Sequence, residues 1–265
     1  MTEPQVWHYG LMAERWAEFI TDAPEVAFLQ RAIERFGQPV LDVACGTGRV
    51  LIPLLRAGID IDGIDISADM LHHCRKKAEG EGYSPRLVQQ PMHSFDVDRK
   101  YRTIYICGSF GLSGSRESDL ETLRRCFHHL EPGGTLLFNI QAEYTSPEDW
   151  NAWLAENRKA LPEPWPEKGE PRVASDGIEH YAQFRVISLD PLEQTLLRQV
   201  RLEKWRGGEM LASEEYTLRD NWYFKNEVLL MLSVAGFEDI MVHGDYTEEI
   251  ATADHRELIF TAVRK

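Results

Sequence analysis

The sequence predicts an α/β protein with a doubly wound, mainly parallel sheet, an antiparallel edge hairpin near the C-terminus and an inserted antiparallel β-meander. Apolar runs of strand length alternate with amphipathic segments of helix length over residues 38–140. A glycine-rich turn follows the first of these runs. Farther along, three segments alternate apolar and polar residues. A chain of 265 residues that is 43% hydrophobic can bury a sizeable core.

The first half of the chain predicts five strands and the helices between them. Apolar residues at helical spacing indicate two helices before the first strand, the second ending at Gly37. The strand PVLDVA is followed by the helix RVLIPLLRAG, which Gly58 closes, and by the strand IDIDGID, which ends at Asp65. Ser67 is the expected N-cap of the next helix. The strands PRLVQQ and RTIYICG, a helix from about Ser118 to Leu130, and a Pro-Gly-Gly turn before the strand TLLFNI complete the alternation.

The pattern changes after Ile140. A helical piece near 147–160 leads into the proline-rich surface loop LPEPWPEKGEP. Three alternating strands follow, HYAQFRVISL, QTLLRQVRLEKW and EMLASEEYTL, before a last helix and a closing strand pair. We therefore predict an N-terminal helical lid over 1–37, a main domain over 38–146 and 222–265, and an insertion over 147–221.

Composition excludes several classes of partner. The formal net charge of −14 argues against nucleic acid, whose phosphates require a basic face. The four cysteines show neither metal-ligand spacing nor a disulfide framework, so no metal site is expected. The first residues, MTEPQVWHYG, do not resemble a signal peptide, and no apolar run approaches the roughly 20 residues that span a bilayer. We expect a cytoplasmic protein that does not bind membranes.

The glycine-rich turn DVACGTG indicates a nucleotide-like ligand. Gly46 and Gly48 let the backbone approach a ligand at the end of a strand, but Leu51 stands where a dinucleotide fingerprint requires its third glycine. Asp65 closes the second strand 19 residues after Gly46, which is the spacing of an acid that binds a ribose. The ligand is therefore expected to contain a ribose.

Four motifs occur in a recognisable order: DVACGTG, then GIDIS with Met70 shortly behind, then VQQPM, then the Pro-Gly-Gly turn. Together they resemble the class I S-adenosylmethionine-dependent methyltransferases of the small-molecule type over residues 38–140. Ala44 departs from the family pattern, because it occupies the first glycine position of the first motif.

The resemblance implies roles for individual residues. Asp65 would bind both ribose hydroxyls, Ile66 and Met70 would pack on the adenine, and the Gln90-Pro91-Met92 turn would read its edge. The first motif would surround the amino-acid end of S-adenosylmethionine. The residues assigned in this way to the cofactor are Tyr9, Asp42, Ala44, Gly46, Thr47, Gly48, Arg49, Asp65, Ile66, Met70, Gln90, Pro91, Met92 and Cys107.

The N-terminal segment HYGLMAERW resembles an aromatic lid found ahead of the first motif in many small-molecule members. Tyr9 and Ala13 match that pattern, and Trp16 replaces its second tyrosine. The alternative is that Trp16 belongs only to the apolar face of a helix. Tyr9 is the better candidate for a contact with the methionine end of the cofactor, and we assign it a catalytic role.

The acceptor of the methyl group is less defined. Ser109 and Phe110 follow the fourth strand and should border the transferring methyl, so Ser109 is a second catalytic candidate. His93, His180 and His243 are conceivable bases, but none is singled out by the sequence. The candidate walls of the acceptor pocket are the aromatic residues Phe110, Tyr181, Trp222 and Tyr223.

We therefore expect a methyltransferase that acts on a small-molecule acceptor, by N- or O-methylation. The insertion would form either the acceptor pocket or the interface of a homodimer. The alternatives are an NAD-dependent oxidoreductase, which Leu51 disfavours, and a non-catalytic protein that binds the cofactor or dimerises.

Overall fold

The computed structural model describes residues 8–142 and 144–265, which form one sheet of seven strands and another of four. The strands are β1 (Val40–Val43), β2 (Ile61–Asp65), β3 (Leu87–Gln89), β4 (Tyr101–Ile106), β5 (Leu130–Gln141), β6 (Arg172–Val173), β7 (Glu179–Asp190), β8 (Thr195–Arg206), β9 (Glu209–Asn221), β10 (Glu238–Gly244) and β11 (Glu257–Val263). The helices are α1 (Gly10–Phe19), α2 (Val26–Phe36), α3 (Leu51–Arg56), α4 (Ala68–Gly80), α5 (Arg116–His129), α6 (Pro147–Ala152), α7 (Ala155–Arg158) and α8 (Lys225–Ala235).

The main sheet has the order β10-β11-β5-β4-β1-β2-β3. Its first five strands along the chain are mutually parallel, and β11 pairs antiparallel with both β5 and β10. The strand order reverses between β1 and β4, which is where a doubly wound sheet opens a crevice for ligands. The predicted fold class is confirmed, including the antiparallel edge hairpin.

Both faces of the main sheet are buried, as the crossover helices of a parallel sheet require. Alternate side chains of each strand enter two different apolar clusters. Leu41 and Ile104 belong to the cluster beneath α5 and α8, whereas Val40 and Tyr105 belong to the cluster beneath α2, α3 and α4. Leu51 is fully buried in the second cluster, so the position of the missing third glycine is filled by core packing.

The second sheet has the order β6-β7-β8-β9 and consists of antiparallel pairs. The predicted meander is therefore present, and Gly207 and Gly208 connect β8 to β9 with positive φ angles of 56° and 84°. Helix α1 packs on its inner face, where Leu11 and Met12 belong to one buried apolar cluster with Val200. The domain boundaries inferred from the sequence stay a prediction.

Three elements differ from the expectations. Helix α5 begins at Arg116, because extended Ser115 caps it by accepting the Ser118 N–H through its hydroxyl at 3.1 Å. The Pro-Gly-Gly segment is an irregularity inside β5, and its glycine backbones pair with Arg264 in the flanking chain. The short strand β6 was not predicted, because two residues are too few to show a pattern. No helix in the described part of the chain is long and apolar enough to cross a membrane.

We expect Gly48→Ala to destabilise the fold more than Gly82→Ala does. The two glycines have φ angles of +80° and +81°, so an alanine is strained equally at both positions, by about 1–2 kcal/mol. A Cβ at Gly48 would also lie 2.7 Å from the Cys74 sulfur, whereas a Cβ at Gly82 meets nothing within 4 Å. Urea unfolding should show an additional loss of roughly 1–3 kcal/mol for Gly48→Ala. Equal losses would mean that Gly48 serves only the backbone conformation.

Candidate active site

A cavity of about 330 Å³ lies at the carboxyl ends of the parallel strands, against the loops that follow β1, β2, β3 and β4. Such an edge is the usual ligand crevice of a doubly wound sheet. The sequence-predicted residues that line this cavity are Asp42, Ala44, Gly46, Thr47, Arg49, Asp65, Ile66, Met70, Gln90, Pro91, Met92, Cys107 and Ser109. Tyr9 and Gly48 were also assigned to the cofactor, but they do not line it.

The two glycines of the first turn have different surroundings. Gly46 has a φ of +54°, and a Cβ built there would meet nothing within 4 Å, so its backbone is open toward the cavity. Gly48 lies behind the turn, where a Cβ would collide with Cys74 and Ile52. Ala44 has a φ of 61°, which costs a residue with a side chain about 1–2 kcal/mol. The alanine at this family glycine position therefore keeps the left-handed backbone that glycine would adopt easily.

The carboxylate of Asp65 is fixed at the end of β2 by two backbone donors. Its Oδ2 accepts the Gly46 N–H at 2.9 Å, and its Oδ1 accepts the Ser67 N–H at 2.8 Å. Burial raises the pKa of this carboxyl, and the two N–H bonds act in the opposite direction. Because each carboxylate oxygen accepts more than one hydrogen bond, both oxygens keep capacity for a bound diol.

A buried ion pair holds the glycine-rich turn after β1 in place. The Arg49 guanidinium pairs with Glu25 and donates to the Asp22 carbonyl oxygen at 2.7 Å, which ties the segment before α2 to the glycine-rich turn. Burial raises the pKa of Asp42 well above its ordinary value. Burial raises the pKa of the Cys107 thiol in the same way, so this cysteine is a neutral wall of the cavity rather than a nucleophile.

The opposite end of the cavity is apolar. Met70 is 1% exposed and lies in the first turn of α4, which Ser67 caps as predicted. Ile66 stands beside it at the end of β2. The Gln90 side chain is bound to its own loop: its Oε1 accepts the Asp96 N–H at 2.7 Å, and its Nε2 donates to the Asp96 carbonyl oxygen at 3.2 Å. Gln90 thus shapes the loop with its side-chain amide.

The N-terminal segment covers the cavity with Trp16, which was expected, and with His8 where Tyr9 was expected. His8 and Trp16 line the cavity, whereas Tyr9 is 36% exposed and does not. The reason is local: Tyr9 has an extended backbone just before α1 begins at Gly10, so consecutive side chains point to opposite sides. Tyr9 contributes its carbonyl oxygen, which accepts a hydrogen bond from the Tyr216 hydroxyl at 2.9 Å.

Backbone groups of this segment are held from two directions. On the side of α4, the Ser67 hydroxyl donates to the His8 carbonyl oxygen, and Asp69 accepts the Gly10 N–H at 2.8 Å. On the side of β9, Glu214 accepts the Leu11 N–H at 2.8 Å. We call residues 8–11 the strap, because they connect the cofactor side of the cavity to the second sheet.

A second cavity of about 190 Å³ adjoins the first one and shares Gly108, Leu112, Arg198 and Asp220 with it. Three of the four predicted aromatic walls, Phe110, Trp222 and Tyr223, line this second cavity. Tyr181 lines neither cavity, because its ring lies on the second sheet against Trp205 and the Lys168 ammonium. Ser109 borders the first cavity.

The second cavity is formed where β9 meets the loop after β4, and a buried carboxylate joins the two. Asp119 accepts hydrogen bonds from the Asn221 amide at 2.8 Å, from the Tyr223 hydroxyl at 2.7 Å and from the Ser113 hydroxyl. The Asn221 N–H also donates to the Gly111 carbonyl oxygen at 2.9 Å. These contacts set the end of β9 against the main domain.

The sequence interpretation missed the polar residues Arg198 and Asp220, which line both cavities. Their positions could have revealed them. Arg198 and Asp220 each lie at the two-residue spacing of the buried apolar residues on β8 and β9. Of the three candidate bases, His93 lines the first cavity. The rings of His180 and His243 pack edge-on against phenylalanines outside both cavities.

Residues 40–134 match a family model described as a methyltransferase domain. A relative from Geobacillus sp. (strain WCH70), provisionally named a methyltransferase, is 24% identical over 97% of this chain and 99% of its own. The dTDP-3-amino-3,4,6-trideoxy-alpha-D-glucopyranose N,N-dimethyltransferase of Streptomyces venezuelae is 31% identical over 46% of this chain and 51% of its own.

A solved structure has a similar fold. The crystal structure of an S-adenosylmethionine-dependent methyltransferase from Clostridium acetobutylicum ATCC 824 superposes with a TM-score of 0.73 at 15% identity, covering 96% of this chain and 97% of that one. The motif order, the sheet topology and these matches agree with one another. The chain is a class I S-adenosylmethionine-dependent methyltransferase.

Proposed function

We propose that this methyltransferase acts on a nitrogen or oxygen atom of a small polar molecule held in the second cavity. The observation that carries the proposal is the continuity of the two cavities through Gly108, Leu112, Arg198 and Asp220. A pocket of about 190 Å³ with aromatic and polar walls suits a small molecule. The Streptomyces venezuelae relative, which by its name methylates an amino sugar, supports an acceptor of this size.

The first cavity fits the cofactor on three points. Asp65 would bind the ribose hydroxyls with oxygens that backbone donors already orient. Gly46 leaves room beside its backbone for the amino-acid end, and Met70 with Ile66 provides an apolar surface for the adenine. When bound, S-adenosylmethionine supplies a methyl group activated by a sulfonium. The work left to the protein is to orient the acceptor and to exclude water.

His8 and Trp16 are proposed as the lid side chains, in place of Tyr9. Both line the first cavity, and their rings lie 6.1 Å apart between centroids. Burial lowers the pKa of His8 to about 4, so its imidazole is neutral near pH 7. A neutral ring beside the cavity does not repel a cationic cofactor, which a histidinium at this place would do.

Asp65→Ala should weaken the binding of S-adenosylmethionine by roughly 10- to 100-fold, because a pair of charge-assisted hydrogen bonds worth about 1.5–3 kcal/mol is lost. The control is Asp62→Ala, which removes a carboxylate of similar burial from the same strand. Asp62 bonds to Arg99 and to the Tyr101 hydroxyl, so its loss should lower stability and leave affinity unchanged. Calorimetric titration and thermal unfolding measure the two effects. If Asp65→Ala binds the cofactor like the wild type but melts earlier, Asp65 is structural.

His8 should make stability depend on pH. Its folded pKa of about 4 lies below the ordinary 6.5, so the unfolded chain binds the proton first and the wild type loses stability as the pH falls from 6.5 to 4. Relative to His8→Gln, the loss should be on the order of 3 kcal/mol, and the two curves should run parallel above the ordinary pKa. Urea unfolding across this range measures it, with His72→Gln, which removes an exposed imidazole, as the control. If the stability curves of the wild type and of His8→Gln stay parallel over the whole pH range, the pKa of His8 is not lowered in the folded protein.

A further inference from the structure

A carboxylate occupies a position on the second sheet where the strand pattern calls for an apolar side chain. On β9, Tyr216, Leu218 and Asp220 are all buried and share the inner face, because successive side chains of a strand alternate between faces. Asp220 is 4% exposed. Arg198 interrupts the inner face of β8 in the same way, directly across from Leu218. The two polar side chains meet where both cavities adjoin.

The hydrogen bonds of Asp220 are incomplete. Its Oδ2 pairs with the Arg198 guanidinium, but its buried Oδ1 has no hydrogen-bond partner among residues 8–142 and 144–265. The side chain of the neighbouring Asn221 also has one bonded atom and one unbonded atom. Its amide nitrogen donates to Asp119, and its buried Oδ1 has no partner in the same part of the chain. Buried oxygens of this kind are normally satisfied, so two adjacent ones indicate a ligand that brings hydrogen-bond donors.

The wall of the second cavity contains one further acidic residue. Glu257 lines it with a half-buried carboxylate that already accepts the Asn139 amide at 2.7 Å. Phe110 and Trp222 supply aromatic surface, which favours a cation over a neutral group. The charges of Arg198 and Asp220 balance each other, so Glu257 supplies the remaining charge among the residues that line this cavity and favours a positively charged donor.

We propose that Asp220 and Asn221 form an ammonium subsite, and that the acceptor of this enzyme is a primary or secondary amine; this inference rests on the proposed function. An ammonium group carries two or three N–H donors, enough for Oδ1 of Asp220 and for a second oxygen in the wall of the cavity, whereas a hydroxyl carries one. A charge-assisted hydrogen bond from an ammonium to Oδ1 of Asp220 is also stronger than one from a neutral hydroxyl. Methylation at nitrogen is therefore selected over methylation at oxygen.

The same carboxylate answers a chemical requirement of an amine acceptor. An ammonium has no lone pair, so one N–H bond must break before the nitrogen accepts a methyl group. The N–H electron pair stays on nitrogen, and the proton forms a new bond to Oδ1 of Asp220, which later passes it to solvent. Burial raises the pKa of Asp220, which helps it to accept this proton.

The test is a comparison of benzylamine with benzyl alcohol, two probes that share a ring for the aromatic wall and differ in the donor group. Their dissociation constants are measured by ligand-observed nuclear magnetic resonance on the full chain saturated with S-adenosylhomocysteine, so that the probes enter the second cavity. Benzylamine should bind at least about tenfold more tightly than the alcohol. Equal binding, or no binding of benzylamine, would overturn the proposal.

Asp220→Asn should abolish the preference for the amine, because it keeps the shape of the side chain and removes its charge. The matched control is Glu215→Gln on the same strand, which removes an exposed carboxylate that lines neither cavity and should keep the preference. A preference that survives in Asp220→Asn would contradict the assignment. If that variant does not fold, the comparison of the two probes in the wild type decides alone. Calorimetric titration of S-adenosylhomocysteine on the same samples is separate: its failure would count against the proposed function and not against the subsite.

Discussion

The buried carboxylate of Asp119 is the contact on which the geometry of the two cavities depends. It accepts hydrogen bonds from Asn221 and Tyr223 at the end of the second sheet, and from Ser113 in the loop after β4. A fully buried carboxylate without donors would be strongly unfavourable, so these partners have to assemble around it. Their assembly sets the register of β9 against the main domain. The adjoining position, Asp220, is thereby brought to the edge of the cofactor cavity.

Two glycines stand close to the end of the first strand for two different reasons. Gly46 is open to the cavity, so its lack of a side chain gives the ligand access to the backbone. Gly48 faces the protein, where the Cys74 sulfur and the Ile52 side chain leave no room for a methyl group. Ala44 shows that the left-handed backbone of this turn tolerates a side chain. Gly46 is explained by access for the ligand, and Gly48 by the side chains packed against it. The left-handed backbone explains these two glycines less well.

The main sheet and most of the residues that line the first cavity could be predicted from the sequence because their signals are local. The glycine-rich turn and Asp65 lie within 19 residues of each other, and a βαβ unit brings them together by itself. In the N-terminal segment Trp16 lines the first cavity, and His8 lines it where Tyr9 was expected, because the starting point of α1 decides which of these two adjacent side chains points inward. The turn Gln90-Pro91-Met92 lines the first cavity, and its role toward the adenine stays a prediction, while the Gln90 amide bonds to Asp96 in the same loop. Asp220 was missed because its position depends on the next residue, Asn221, which bonds to Asp119 more than 100 residues earlier in the chain.

The strap, residues 8–11, is held through its main chain. Ser67, Asp69, Glu214 and Tyr216 bond to its carbonyl oxygens and N–H groups, and none of these four bonds uses a side chain of the strap. The anchoring therefore does not depend on the side chains of His8 and Tyr9. Gly10 is different, because its φ is +50° and a Cβ there would lie 2.4 Å from the Glu214 carboxylate, and Leu11 is buried. Substitutions of His8 can alter the size and polarity of the wall of the first cavity while the main-chain anchoring stays in place. The wall of the first cavity can thus change by mutation at His8 without a matching change in the surfaces that hold the strap.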